Sequence, residues 1–124
     1  MLKDAFFSIK ESIDMENTRT YRLNLNAVHP IFQAHFAGNP IMPGACVVQL
    51  IKELAEDYAS LSFFTAAVKN MKFLQAINPL ETPEISVRLT FVQQETDRVS
   101  VSAVICNEDT IYSKSMLIFA SCQQ

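Results

Sequence analysis

Hydrophobic and polar positions alternate with period two in six segments of the chain, and recur with a helical period in one. Before residue 27, the alternation predicts two strands, at residues 7–13 and 18–26, joined by a polar turn. After residue 62, it predicts four more strands, at residues 63–74, 84–94, 98–107 and 110–121. We expect four apolar residues of the first of these strands to lie in the core, with the lining of a tunnel as the alternative: Phe63, Phe64, Phe73 and Leu74.

The segment between the two groups of strands, Ala45 to Ser60, has the pattern of a helix. It contains no Gly or Pro, and its polar side chains recur at helical spacing, at Gln49, Lys52, Glu53 and Glu56. Because its other faces are apolar, we expect a long central helix that is mostly buried. On this interpretation, Glu53 and Glu56 are solvated members of the polar stripe.

The order of the elements predicts the fold class. Two strands, a loop, one helix and four strands predict a single α+β domain over residues 1–124. We expect the long helix to be wrapped by a curved, largely antiparallel sheet of about five to six strands. A sheet of this kind leaves an edge strand open, which favours pairing with a second copy.

Composition excludes several classes of protein. Ten Lys and Arg against thirteen Asp and Glu give a net charge of −3 without a basic run, which argues against binding to nucleic acid. No apolar stretch approaches the ~18 residues of a membrane helix, so we expect no membrane insertion. The three cysteines are widely spaced and match no zinc or disulfide pattern, which predicts a reduced, cytoplasmic protein without a metal.

The unusual backbone residues of the chain lie almost entirely in one window, residues 29–44. It holds both glycines, both histidines and three of the five prolines: His29, Pro30, His35, Gly38, Pro40, Pro43 and Gly44. Glycine permits close approach of the backbone to another group, and proline restricts the backbone. A long irregular loop in a small domain is usually functional, so we place the site here. We expect His29, at the start of the window, to be structural or exposed.

The same window carries a resemblance to a known family. Phe32-Gln-Ala-His35-Phe36-Ala-Gly38-Asn-Pro40-Ile-Met-Pro43-Gly44 resembles the signature of the 3-hydroxyacyl-acyl-carrier-protein dehydratases of the FabZ and FabA types, roughly F-x-G-H-F-P-G-x-P-x-x-P-G. Seven positions match at unbroken spacing. The resemblance implies a hotdog fold for the whole chain. The run that follows, Ala45 to Leu54, is also similar to a branch associated with aryl-polyene and flexirubin-type pigment clusters.

The resemblance implies a lyase that dehydrates a 3-hydroxyacyl thioester to the trans-2-enoyl thioester. His35 matches the catalytic histidine of the family, and an imidazole suits removal of the C2 proton. The amide of Gly44 matches the contact to the thioester oxygen, at the positive end of the helix dipole. Phe36, Pro43 and Ala45 match neighbouring substrate-binding positions. The family needs no cofactor, because phosphopantetheine of the acyl carrier protein holds the substrate.

One position departs from the family pattern at a residue that takes part in the reaction. The general acid of the family stands fourteen residues after the histidine, and here that residue is Gln49. A primary amide hydrogen-bonds but donates no proton to a leaving group. Since general acid catalysis contributes ~10²–10⁴ in rate, its loss predicts a slow dehydratase. Glu53, four residues later and on the same helix face, is an alternative acid acting through a water molecule.

The resemblance also implies partners, and it leaves the function open between classes. The expected partners are an acyl carrier protein and a second hotdog subunit, either an identical copy or a paralogue, with sites formed between the subunits. Lys69, Lys72 and Arg88 are interpreted as scattered strand charges or as a docking surface for the acidic carrier. The alternatives to a dehydratase are a non-catalytic carrier-binding or partner subunit and, ranked lower, an acyl thioesterase.

Overall fold

Six strands and one helix follow one another in the predicted order within the part of the chain that the structure describes, residues 2–30 and 41–122 of a computed structural model. The first group is the hairpin of β1 (Phe7–Met15) and β2 (Thr18–Leu25). The helix α1 (Gly44–Ala59) comes next. The last four strands are β3 (Phe63–Phe73), β4 (Glu84–Gln94), β5 (Arg98–Asn107) and β6 (Thr110–Ser121).

The strands form one antiparallel sheet in the order β1-β2-β4-β5-β6-β3. Alternate residues of the strands are buried on the face that meets α1, as the period-two pattern predicts. Leu50, Ile51 and Leu54 of the helix are fully buried in the same cluster as Leu89 and Phe119 of the sheet. The α+β class, the central helix and the six-stranded antiparallel sheet are therefore confirmed. No helix among the described residues is long and apolar enough to cross a membrane.

Most element boundaries agree with the sequence pattern to within one or two residues. The main difference is in the first hairpin, where β1 continues to Met15 and leaves a turn at Glu16–Asn17. Glu16 adopts a φ of 54°, the left-handed conformation that a tight turn requires. The helix begins at Gly44 rather than Ala45, and it ends before Ser60, which is also left-handed and donates its amide to the Glu56 carbonyl over 2.8 Å.

The expectation that the four apolar residues near the two ends of β3 lie in the core is wrong for three of them. Phe63 is buried, but Phe64, Phe73 and Leu74 expose about half of their surface, at 52%, 54% and 53%. The cause is the position of β3 at the end of the sheet, with β6 on one side and no strand of the described chain on the other. Apolar pattern alone does not distinguish an edge strand from a central one.

The residues before β1 are integrated into the fold, which the sequence pattern did not predict. Phe6 and Phe7 are fully buried, and Asn26 donates its amide to the Phe6 carbonyl over 2.8 Å. The Phe6 ring meets the His29 ring edge-on, with 5.4 Å between the centroids. The N-terminal segment, Leu2–Phe6, therefore packs against His29, at the start of the window that carries the motif.

Candidate active site

The N-terminus of α1 presents backbone amides without side-chain caps. Pro43 is the N-cap residue, it makes no side-chain cap, and the first turn contains no acidic residue. The Pro43 carbonyl accepts the amides of Cys46 and Val47, at 3.0 and 3.2 Å. The amides of Gly44 and Ala45 precede these and have no acceptor within the described chain. Because the helix dipole places partial positive charge here, the turn is suited to hold a developing negative charge.

A cavity of about 320 Å³ lies beside this turn. Gly44 forms part of its wall, together with apolar side chains of Met42, Val47, Phe73 and Leu74. A Cβ atom on Gly44 would stand 3.2 Å from Cζ of Phe73, which is tighter than ordinary van der Waals contact. Glycine is thus suited to this position by the space between helix and edge strand, and the exposed Phe73 and Leu74 are walls of the cavity.

Gln49 lies in the second turn of the helix, five residues after Gly44. Its side chain is half-buried, and its Nε2 donates to Oε2 of Glu53 over 2.7 Å. The short distance is typical of a hydrogen bond to an ionised acceptor. The position where the family has an acid therefore holds a carboxamide that is itself anchored to a carboxylate.

Glu53 is buried rather than solvated, which corrects the expectation from the polar stripe. Glu53 is only 4% exposed. Its two carboxylate oxygens accept the Leu2 amide at 2.8 and 3.1 Å, and one of them also accepts the Lys3 amide at 2.8 Å. Burial alone would raise the pKa of Glu53, but hydrogen bonds from Leu2, Gln49 and Lys3 outweigh it and hold the pKa below its usual value. This direction favours the ionised form of Glu53, and its role as the alternative acid stays a prediction.

Glu56 is also engaged rather than solvated. Its Oε2 accepts the backbone amide of Phe63 over 2.8 Å, and Lys52 Nζ lies 3.3 Å from the same oxygen. The carboxylate thereby joins the last turns of the helix to the start of β3. The polar stripe of the helix is used for internal contacts, because the chain before β1 and the chain after the helix both return to it.

The structure brings together one part of the predicted site. Pro43, Gly44, Ala45 and Gln49 share the first two turns of α1, with Glu53 one turn further on. The predicted base, His35, and the neighbouring Phe36 lie outside the described residues, as do the other motif residues between positions 31 and 40. Cys46, in the first turn, packs against the core, and burial raises the pKa of its thiol.

Sequence reasoning missed the contribution of Leu2 and Lys3. Their amides reach Glu53 across 51 and 50 positions of the chain, and they act through backbone atoms that every residue has. No residue type or spacing near the N-terminus signals such a contact. The sequence indicated only that Glu53 is a charged residue on a mostly apolar helix, and that it would need hydrogen-bond partners if it were buried.

Comparison with solved structures defines the class of fold. The chain is similar to the dehydratase heterocomplex ApeI:P from Xenorhabdus doucetiae, with a TM-score of 0.70, 9% identity, and coverage of 94% of this chain and 83% of the other. It is also similar to the thioesterase HI1161 from Haemophilus influenzae, with a TM-score of 0.63, 13% identity, and coverage of 94% and 78%. At these identities the likeness concerns the fold, which is the hotdog fold.

Sequence comparison then gives the family. Residues 11–115 match the model of the ApeI-like family, described as ApeI dehydratase. The chain belongs to this family.

Curated relatives carry the name 3-hydroxyacyl-[acyl-carrier-protein] dehydratase FabZ. The protein from Latilactobacillus sakei is 28% identical over 95 residues, which cover 71% of this chain and 66% of that protein. The protein from Caldicellulosiruptor saccharolyticus is 23% identical, with coverage of 97% and 86%. The chain thus spans just under two thirds of the first relative and most of the second.

Proposed function

We propose that this protein dehydrates a 3-hydroxyacyl thioester, carried by an acyl carrier protein, to the trans-2-enoyl thioester. The observation that carries the proposal is the uncapped first turn of α1, where the Gly44 amide borders an apolar cavity beside the motif. Membership of a dehydratase family and the names of the curated relatives support it. The protein would act in the cytoplasm, and no cofactor takes part in the steps below.

The proposed reaction needs one base and two hydrogen-bonding groups. His35 removes the proton from C2, and negative charge grows on the thioester oxygen, which accepts the Gly44 amide. The bond between C3 and oxygen then breaks. Since Gln49 has no acid proton and Glu53 is ionised, the imidazolium of His35 returns the proton to the departing hydroxide, which leaves as water. Gln49 holds that hydroxyl group by a hydrogen bond.

Two variants test the assignment with a purified 3-hydroxyacyl carrier protein as substrate. His35→Ala should abolish formation of the enoyl thioester, because no other group in the proposal takes the C2 proton. Gln49→Glu should raise the rate by roughly 10²-fold or more, because it supplies a general acid. Full activity of His35→Ala would overturn the assignment.

A non-catalytic role as a carrier-binding or partner subunit is the second candidate. The Gln49–Glu53 hydrogen bond favours it, since it occupies the position of the acid with a group that transfers no proton. A wild-type protein without activity, together with a Gln49→Glu variant that folds but gains none, would support this role. Release of a free thiol from an acyl carrier substrate would instead indicate the thioesterase.

We further propose that the chain pairs through the open edge of β3 with an identical or paralogous hotdog subunit. Phe64 and Val68 expose 52% and 43% of their surface on this strand. The variant Phe64→Asp/Val68→Asp should lower the mass in light scattering to that of one chain. Ile13→Asp/Met15→Asp is the matched control, because it places two aspartates at exposed apolar positions of the opposite edge strand, β1, and it should leave the assembly intact.

A further inference from the structure

The N-terminal segment reaches the candidate site through a single carboxylate. Oε1 of Glu53 accepts the amides of Lys3, at 2.8 Å, and Leu2, at 3.1 Å. Oε2 accepts the same Leu2 amide at 2.8 Å and the Gln49 carboxamide at 2.7 Å. The Glu53 carboxylate therefore binds both the backbone of Leu2 and Lys3 and the side chain of Gln49.

The segment that holds Glu53 is itself held in place. The Leu2 carbonyl accepts the amides of Ala5 and Phe6, at 3.1 and 2.7 Å, which closes a tight turn. Phe6 is fully buried, and its carbonyl accepts the amide of Asn26. The buried Glu53 carboxylate has little freedom to rotate, because rotation would break its hydrogen bonds to the Leu2 and Lys3 amides and leave its own charge without partners.

We infer that Glu53 is a positioning residue for Gln49 and that the N-terminal segment, Leu2–Phe6, is part of the site because it holds Glu53. An ionised carboxylate only accepts hydrogen bonds, so the Gln49 Nε2 must point towards it and the Gln49 oxygen must point away. The anchor thus sets which atoms of the carboxamide remain for the substrate: the oxygen and the second N–H. This inference rests on the proposed function for the identity of the substrate hydroxyl.

The Gln49 carboxamide would otherwise have two orientations related by a flip about its terminal torsion. In one orientation the carboxamide presents its oxygen to the substrate, and in the other it presents its NH₂ group, so the flip changes the hydrogen bond offered to a leaving hydroxyl group. In Glu53→Gln, residue 53 no longer favours one of these two orientations over the other. The carboxamide that this substitution introduces would face either Gln49 or the Leu2 and Lys3 amides with its own N–H groups, donor against donor.

A double-mutant cycle on turnover tests the inference. Glu53→Gln should lower kcat roughly 10- to 100-fold with little change in KM for the acyl carrier substrate. In a Gln49→Ala background the same change should have no further effect on kcat, because the residue it positions is gone. Equal losses in both backgrounds would mean a structural role alone and would overturn the inference.

Glu56→Gln is the matched control. Glu56 is a glutamate of the same helix that also holds a backbone amide, that of Phe63, but it does not contact Gln49. This variant should lower the melting temperature while leaving kcat unchanged. If Glu56→Gln lowers kcat as much as Glu53→Gln does, then loss of any hydrogen bond between a helix glutamate and a backbone amide lowers kcat. That result would overturn the positioning role.

A measurement without turnover separates this inference from the proposed function. The NMR signals of the Gln49 carboxamide protons should move in Glu53→Gln and stay in place in Glu56→Gln, because Glu53, and not Glu56, accepts one of these protons. If the wild type proves inactive while these shifts occur, the proposed function fails and the positioning holds. Unmoved signals in Glu53→Gln would overturn the positioning, whatever the activity.

Discussion

Two side chains, Gln49 and Glu53, decide how this site differs from the family pattern. The motif resemblance implies an acid at position 49, where this chain has Gln49 and a carboxylate four residues later, at Glu53. The Glu53 carboxylate is buried, and hydrogen bonds that include the Leu2 and Lys3 amides hold its pKa below the usual value. The charge therefore serves to hold the carboxamide, and the proposed chemistry depends on the base alone.

The low pKa of Glu53 predicts how its contribution to stability varies with pH. A carboxyl group whose pKa is lower in the folded protein stabilises the fold above its unfolded pKa, near ~4.3, and this contribution is lost as the pH falls through the folded pKa. The free energy of unfolding of the wild type should therefore exceed that of Glu53→Gln by a constant amount from pH 7 to about 5. Below about pH 4.5 the difference should shrink. Urea unfolding at four pH values measures it, and a difference that persists unchanged to pH 2 would contradict the prediction.

Gly44 gives a second prediction at the scale of one residue. Its φ is not in the left-handed region, so alanine is compatible with the backbone, and the cost of the methyl group is its 3.2 Å approach to Phe73. Since Phe73 is half-exposed and can yield, Gly44→Ala should change the melting temperature by only a few degrees. Turnover should fall roughly tenfold or more, because the methyl group narrows the space before the amide. Turnover equal to that of the wild type would place the substrate elsewhere.

At the scale of elements, α1 is fixed at several points by polar contacts that cross its apolar packing. Glu53 holds the chain before β1, and Glu56 holds the start of β3. The third contact is made by Tyr21 of β2, whose buried hydroxyl donates to Asp57 over 2.9 Å and lies 3.2 Å from the Leu54 carbonyl. Burial raises the pKa of Tyr21 to about 12, so the hydroxyl keeps its proton at all physiological pH values. The helix that carries the candidate site is thus tied to the chain before β1, to β2 and to the start of β3.

Tyr21→Phe should lower the free energy of unfolding by about 1 kcal/mol, the usual contribution of such a hydrogen bond. Tyr58→Phe is the control, because the Tyr58 ring stacks on Phe91 at 3.8 Å and no hydrogen bond of its hydroxyl is found in the described part. It should change the free energy by less than about 0.5 kcal/mol. Urea denaturation with unchanged slope measures both. Equal losses would show that Tyr21 contributes through its ring and not through its hydroxyl.

The elements were predictable from sequence to the extent that local pattern determines them. The bounds of β4, β5 and β6 follow from alternation between clear turn signals, and the helix follows from its period. The burial of Glu53 and the exposure of Phe64 and Phe73 were not predictable in this way. The first depends on contacts with Leu2 and Lys3, far away in sequence, and the second depends on which strand ends at the edge of the sheet. The motif identified Gly44 and Gln49, but their environment comes from the tertiary structure.

At the scale of the whole molecule, charge is distributed unevenly over the face of the sheet that points away from α1. Near one end, Lys10 and Arg22 pair with Glu84 and Glu11, at 2.9 Å for Lys10–Glu84 and 3.0 Å for Arg22–Glu11. Across the middle, the strand registers align Arg88 with Val104, Val104 with Lys114 and Lys114 with Lys72, which places three cations in one row. No ion pair of these three cations occurs among the described residues.

This row sharpens the interpretation of Lys72 and Arg88 as a docking surface. Like charges directly opposite in neighbouring strands destabilise a sheet, and an anionic partner would compensate the Lys72–Lys114 pair. The net charge of the chain is −3, so this cationic surface is not a consequence of overall composition. We propose that the acidic acyl carrier protein docks here.

Charge reversal by Lys72→Glu/Lys114→Glu should then raise KM for the acyl carrier substrate roughly tenfold and remove most of its dependence on salt, because docking steers by charge. Turnover of the same acyl group on free pantetheine should not change, since that substrate lacks the acidic protein. Lys10→Glu/Arg22→Glu is the matched control, because it reverses the same number of charges at the ion-paired end of the sheet. If that control raises KM as much, or if the pantetheine thioester is affected equally, the row of cations is not the docking surface.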